Sequence, residues 1–188
     1  DSDDYCTADR IELSVRAITQ LPDGYIGVYG ARLFYTEVPE AGYVRMQTSI
    51  RPFPTEHPLS GDLSLRTRKG NLINFPTLLV QKSSVLAAGP SDPLLRKNVD
   101  WDLCLRLTCQ GRISFVPEPL ILTPTSLDPT VSAARVSRSV RQGARSFVRI
   151  TGKLRHAGSD GPEISPHYAS AARYLMRVNR PRFARRFL

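Results

Sequence analysis

The sequence predicts an α/β fold that runs on into a basic helical tail. Short stretches rich in β-branched and aromatic residues alternate with stretches whose apolar residues recur every three or four positions. Proline and glycine mark most of the boundaries between them. The formal charge of +9 is also unevenly held. Residues 1–130 carry 13 Lys and Arg against 15 Asp and Glu, a balance of −2, whereas residues 131–188 carry 13 against Asp160 and Glu163, a balance of +11. The expected organisation is therefore a folded body over residues 1–130 and a basic tail over residues 131–188.

Thr7 to Leu21 is expected to be a helix, capped by Thr7, with Ile11, Val15 and Ile18 on one face and Pro22-Asp23-Gly24 as its stop. Tyr25–Tyr29 is the first long strand. Glu37 to Gly61 contains Pro39, Pro52, Pro54 and Pro58, which suits a loop-rich insertion with one strand at Tyr43–Thr48. The bounded run Leu78–Val80 fits a buried strand, and Lys82–Ala88 a short helix closed by Gly89-Pro90. Asp100–Gln110 is the strongest helix of the body, with Trp101, Cys104, Leu105 and Thr108 on one side. Arg112–Val116 and Leu120–Leu122 are read as two strands separated by Pro117-Glu118-Pro119. Helical spacing resumes from Val131 to Thr151, where Arg135, Arg138, Arg141, Arg145 and Arg149 lie opposite Val140, Phe147 and Ile150. A polar linker over Gly158–Pro166 leads to a last helix at Tyr168–Val178.

Composition narrows the function classes. No segment approaches the roughly 18 uninterrupted apolar residues of a membrane span. Cys6, Cys104 and Cys109 are an odd, sparse set that suits a reducing, cytoplasmic compartment rather than a disulfide framework. No Cys/His pair has zinc-ligand spacing. The chain opens within a polar motif, and the expectation is that a further part precedes it.

Two aspartate clusters carry the chemistry. Asp1-Ser2-Asp3-Asp4 places carboxylates one residue apart, a pattern able to grip one divalent cation, though a solvated acidic turn has the same look. Asp100-Trp101-Asp102 opens a helix, where acidic residues also serve simply to complement the helix dipole. Read functionally, Asp100 is a general base, with Trp101 as an apolar wall; a core residue, or core and wall together, is the other reading of Trp101. The Arg-rich helix is either a solvated face or one that meets anionic lipid headgroups. Without aromatic residues interleaved at stacking positions, nucleic acid is an unlikely partner.

These segments resemble the family 2 glycosyltransferases over about residues 1–130. Asp1-Ser2-Asp3-Asp4 is similar to the end of that family's D-x-D strand. Gly89-Pro90-Ser91-Asp92-Pro93-Leu94-Leu95 is similar to the turn before its active-site helix. Asp100-Trp101-Asp102-Leu103-Cys104-Leu105-Arg106-Leu107 is similar to that helix, and Ile113-Ser114-Phe115-Val116-Pro117-Glu118-Pro119-Leu120 to the strand and turn after it. Val99 and Ser91 depart from the family's usual acidic and Phe residues.

The resemblance implies an incomplete GT-A, Rossmann-like mixed sheet with flanking helices, lacking its N-terminal nucleotide-binding half. It implies metal-dependent, inverting sugar transfer from a nucleotide-sugar donor to a glycan or lipid-linked acceptor, in cell-envelope or polysaccharide synthesis. Asp3, helped by Asp1, would hold Mn²⁺ or Mg²⁺ and the donor, and Asp100 would be the base. Trp101, Asp102 and Asn71, the last in the loop Gly70–Asn74, would border the acceptor. The Arg-rich tail would then hold the protein peripherally at the inner membrane face. The alternative is a non-catalytic basic module that docks on anionic lipid or polymer.

Overall fold

A computed structural model describes residues 4–38, 43–47, 59–124, 140–158, 165–177 and Arg182. The class is mixed α/β. Five strands form one sheet: β1 (Tyr5–Cys6), β2 (Tyr25–Val38), β3 (Tyr43–Gln47), β4 (Leu79–Val80) and β5 (Arg112–Pro124). Helices are α1 (Arg10–Thr19), α2 (Ser64–Lys69), α3 (Lys82–Ala88), α4 (Val99–Thr108), α5 (Val140–His156) and α6 (Ser165–Arg177), with a 3-10 turn at Phe75–Thr77.

The sheet is organised by β2, which is far longer than the Tyr25–Tyr29 stretch expected. One edge of β2 runs parallel to β5, from Tyr25 beside Arg112 to Tyr35 beside Pro124. Its other edge is shared: Gly27 and Val28 pair with β4, and Phe34 to Val38 with β3, both antiparallel. β1 joins the far side of β5 through Tyr5–Leu122 and Cys6–Ile121.

Residues 112–124, expected as two strands, form one. Proline lacks a ladder donor and belongs at a bulge. Pro117-Glu118-Pro119 is absorbed there, because Val116 pairs with Gly30 while Pro119 pairs with the very next residue, Ala31. A second irregularity between Tyr25 and Gly27 changes which face the strand presents. Ile26 and Tyr29 therefore enter one core and Val28 the other.

Each face has its own cover. Leu13, Ala17, Ile18 and Leu21 of α1 and its exit pack on Val28, Val116 and Leu120. Of the face expected through Ile11, Val15 and Ile18, Ile18 does pack there, whereas Ile11 and Val15 are exposed and Ser14 is the buried position. Thr7 does not cap the helix with its side chain. Its hydroxyl donates to the Leu120 carbonyl, and its own carbonyl accepts the Arg10 N–H. On the opposite face Ile26, Tyr29 and Ile113 meet Leu63, Ile73, Cys104 and Leu107, which brings α4 onto the sheet.

The basic region is not packed apart from the body. Ile150 and Leu154 of α5 are buried with Leu95 and Trp101, and Phe147 and Tyr168 pack beside them. The charge division along the sequence is thus not a division in packing. Arg135 and Arg138 of the expected stripe lie outside the described residues, as does most of the linker between α5 and α6. No helix among the described residues is long and apolar enough to cross a membrane.

Gly30 lets the bulged β5 close against β2. A Cβ there would stand 2.5 Å from Leu120 Cδ1 and 2.6 Å from its Cγ, and Leu120 is wholly buried. Gly30→Ala should destabilise by about 1–3 kcal/mol through overpacking. Gly70→Ala, where a Cβ meets nothing within 4 Å, should change stability by less than about 0.5 kcal/mol. Equilibrium urea unfolding of both variants tests the difference.

Candidate active site

Helix α4 begins beyond Asn98, which takes the left-handed backbone (φ 59°) that Asn tolerates better than most residues. That turn points the first helical residues back toward the loop after α2. Asp100 there accepts a hydrogen bond from Asn71 Nδ2 at 2.8 Å. The pair is solvent-accessible, and no Lys, Arg or His described lies within ion-pair distance of Asp100. Two of the expected site residues, Asn71 and Asp100, are therefore brought together. Asn71 acts on the carboxylate itself.

The two neighbours of Asp100 have other work. Trp101 is only 3 % exposed. Its indole N–H donates to the Thr67 carbonyl at 2.7 Å, and its ring lies 5.7 Å from Phe147 and 4.7 Å from His167 between centroids. A ring enclosed on these sides has almost no surface left for a ligand, so Trp101 is a core residue and not the wall of a cleft.

Asp102 is likewise corrected. It is 2 % exposed and fully engaged by cations. Arg106 Nη2 approaches one carboxylate oxygen at 3.0 Å, and Lys153 Nζ the other at 2.5 Å. A buried carboxylate is tolerated when charge and hydrogen bonds follow it inside. That constraint leaves Asp102 no capacity to bind an acceptor hydroxyl.

Lys153 does more than neutralise Asp102. Its ammonium also lies 2.8 Å from Asp92 Oδ2, the oxygen that Arg149 Nε binds as well. Those hydrogen bonds, from Arg149 first and then Lys153, hold the Asp92 carboxyl far below the ordinary carboxylate range. The other Asp92 oxygen accepts the Leu94 N–H at 3.0 Å and shapes the turn before α4. Arg106 adds hydrogen bonds to the carbonyls of Ala88 and Gly89, the latter at 3.0 Å. Arg149, expected on a stripe facing solvent or lipid, is exposed and also pairs with the body through Asp92. Lys153 and Asp92 were missing from the sequence-based site. The i, i+4 spacing of Arg149 and Lys153 on α5 was the signal available.

Cys104 lies one turn after Asp100 and is completely buried. Burial, aided by the Asp100 charge, pushes its thiol up to about 12, so it stays protonated and packs as a small hydrophobe.

Asp1 and Asp3, the expected metal ligands, lie outside the described residues. Their neighbour Asp4 is placed: its Oδ1 accepts from Thr123 Oγ1 at 2.5 Å, and its Oδ2 lies 3.6 Å from Arg32 Nη2. Asp4 is thus held by Arg32 in the middle of β2 and by Thr123 near the end of β5. Among the described residues no group of three or more His, Cys, Asp or Glu side chains is placed to share a metal ion.

No family model, curated protein or solved structure matches the chain.

His167 offers a test of how α6 docks. Its Nε2 contacts the Arg68 carbonyl, and it is 4 % exposed against Trp101 and Phe147. Burial lowers its pKa, outweighing the opposing hydrogen bond to Arg68. As pH falls, the unfolded chain takes up the proton first, near the ordinary value of about 6.5. Stability is then full above that value and declines as pH drops toward the lower folded pKa. Denaturant midpoints between about pH 7.5 and 5.5 should fall for the native chain and fall less for His167→Phe.

Proposed function

We propose that the chain is the acceptor-side portion of a metal-dependent glycosyltransferase of the GT-A type, with Asp100 as its general base. One contrast supports this reading. Of the three aspartates in the segment 92–102, Asp92 and Asp102 are neutralised by Lys153, Arg149 and Arg106, whereas among the described residues Asp100 is met by the neutral amide of Asn71 and by no cation. A base must be charged, reachable and not already paired with a cation. Asp100 is solvent-accessible and, among the described residues, has no cation within ion-pair distance.

In this role Asn71 fixes the carboxylate by donating to Oδ2. The carboxylate accepts the proton of an acceptor hydroxyl. The acceptor oxygen forms its new bond to the anomeric carbon of the donor sugar, while the bond from that carbon to the diphosphate oxygen breaks. The electron pair leaves with the nucleoside diphosphate. A single displacement on the face opposite the leaving group inverts the anomeric centre.

Carboxylate oxygens from Asp1 and Asp3 are a donor set suited to a hard cation such as Mn²⁺ or Mg²⁺. Bound there, the cation would supply neutralisation of charge on the departing diphosphate. Of this cluster the described residues include Asp4 alone, which Thr123 and Arg32 hold in place.

The family 2 resemblance of the D-x-D, turn and helix segments agrees with these roles, and a glycan or lipid-linked alcohol is the acceptor class proposed. Asp100→Asn keeps shape and a hydrogen-bonding partner for Asn71 but removes the base. In the full-length protein, transfer should fall by about 10²–10⁴-fold, with metal-dependent donor affinity little changed. A radiolabelled-sugar assay and donor titration check both halves; normal turnover in this variant would remove Asp100 from the role.

A further inference from the structure

The loop that leads to α4 and the helix itself each contribute one carboxylate, half-buried Asp92 and buried Asp102, and a single ammonium spans them. Lys153 Nζ is 2.8 Å from the first and 2.5 Å from the second. These two aspartates flank Asp100 in the chain, ten residues apart. Arg149, one helical turn before Lys153, binds Asp92 from the same side. Beneath the charges, Ile150 and Leu154 of α5 pack against Leu95 and Trp101. The entry to α4 also contains a weak point: Asn98 has left-handed backbone, and its buried Nδ2 has no hydrogen-bond partner among the described residues. Something outside the loop must hold such a turn in place.

We propose that Lys153, assisted by Arg149, is a positioning residue for Asp100. By bridging Asp92 and Asp102 from α5 it fixes the loop and the first turn of α4 together. The Asp100 carboxylate is thereby kept in register with Asn71. The inference rests on reading Asp100 as the base, and it assigns the C-terminal region a part in the chemistry that its basic composition alone does not suggest. Lys153 touches neither the acceptor nor the donor in this scheme. Its effect travels through two ion pairs and the backbone between them.

Trp101 provides a readout that does not depend on activity. It is the only tryptophan of the 188-residue chain, and it adjoins Asp100 in sequence and α5 in space. Lys153→Met removes the ammonium while keeping much of the aliphatic stem. In this chain the variant should retain its far-ultraviolet circular dichroism, while Trp101 emission moves to the red and acrylamide quenching increases. Lys153→Arg should restore both optical properties toward the native values. Asp92→Asn, which removes one carboxylate of the clamp, should also increase quenching.

In the full-length protein, Lys153→Met should lower kcat by at least about tenfold with donor KM little changed, as expected when a reacting group is misplaced. Lys153→Arg should recover most of that loss. Native quenching in both Lys153→Met and Asp92→Asn overturns the clamp, whatever the activity. Normal kcat in Lys153→Met beside an inactive Asp100→Asn overturns positioning and leaves the base assignment standing. Full activity in Asp100→Asn defeats the function reading and the positioning role with it, whereas the quenching data would still decide whether the ion pairs order α4. If Lys153→Met does not fold, the Asp92→Asn result decides the clamp, because Asp102 then keeps both of its cations.

Discussion

A carboxylate that is almost wholly buried dictates much of what surrounds it. Asp102 sits on the inner side of α4, where an unpaired charge would cost several kcal/mol. Arg106, four residues on, supplies one cation from the same helix, and Lys153 brings the second from α5. The helix therefore cannot reach its place on the sheet at low cost unless the C-terminal helices are in place as well. Removing one member of such a group generally costs about 3–5 kcal/mol, even where the group as a whole adds little over an apolar substitute. Its value here lies in fixing an orientation, with Asp102 and Trp101 turned inward and Asp100 left toward solvent.

The apolar contacts agree with that orientation. Cys104 and Leu107 face Ile26, Tyr29 and Ile113 of the sheet, whereas Trp101 faces Ile150 and Leu154. Helix α4 is thus shared between two cores and has only a narrow strip in contact with water. The Trp101 indole adds direction to this arrangement, since its N–H must find an acceptor when buried. Thr67 at the end of α2 provides one. The same segment leads through Lys69 and Gly70 to Asn71, the partner of Asp100. A hydrogen bond in the interior therefore helps place a polar side chain at the surface.

Much of the fold was legible because period and punctuation agreed. Lys82–Ala88 matched its helix, Tyr43–Gln47 its strand to within a residue, and α4 began one residue earlier than expected. The failures have physical causes. Pro117 and Pro119 looked like a break, but a two-residue excess against β2 let one strand carry them as a bulge. On α1, Ile11 and Val15 had the right spacing for a core face, yet Leu13 and Ala17 were the residues the sheet admitted. Spacing gives the width of an apolar stripe better than its exact phase.

The site was legible to a different degree. Asp100 could be named from its acidic motif at a helix start and Asn71 from its Gly-flanked loop, and the two side chains do meet. Trp101 and Asp102 share that motif but are occupied by packing and charge balance, and a local sequence cannot tell which of three adjacent polar or aromatic residues faces inward. The basic stripe illustrates the same limit. Arg149 reads as one charge of an exposed stripe, and spacing on the helix does not show that it and Lys153 reach Asp92 and Asp102, some 50 residues earlier.

The bulge on β5 has a geometric meaning beyond accommodating two prolines. The strand leaves the end of α4 at Arg112 and, past the irregularity, presents Thr123 to Asp4. It is a measuring rod laid between the helix that bears one acid and Asp4 of the other cluster. Each residue added to or deleted from it would slide the far end by about 3.3 Å and reverse the side from which Thr123 projects. A chain built this way can vary its surface loops freely, while the length of this one rung is held to whole pairs of residues.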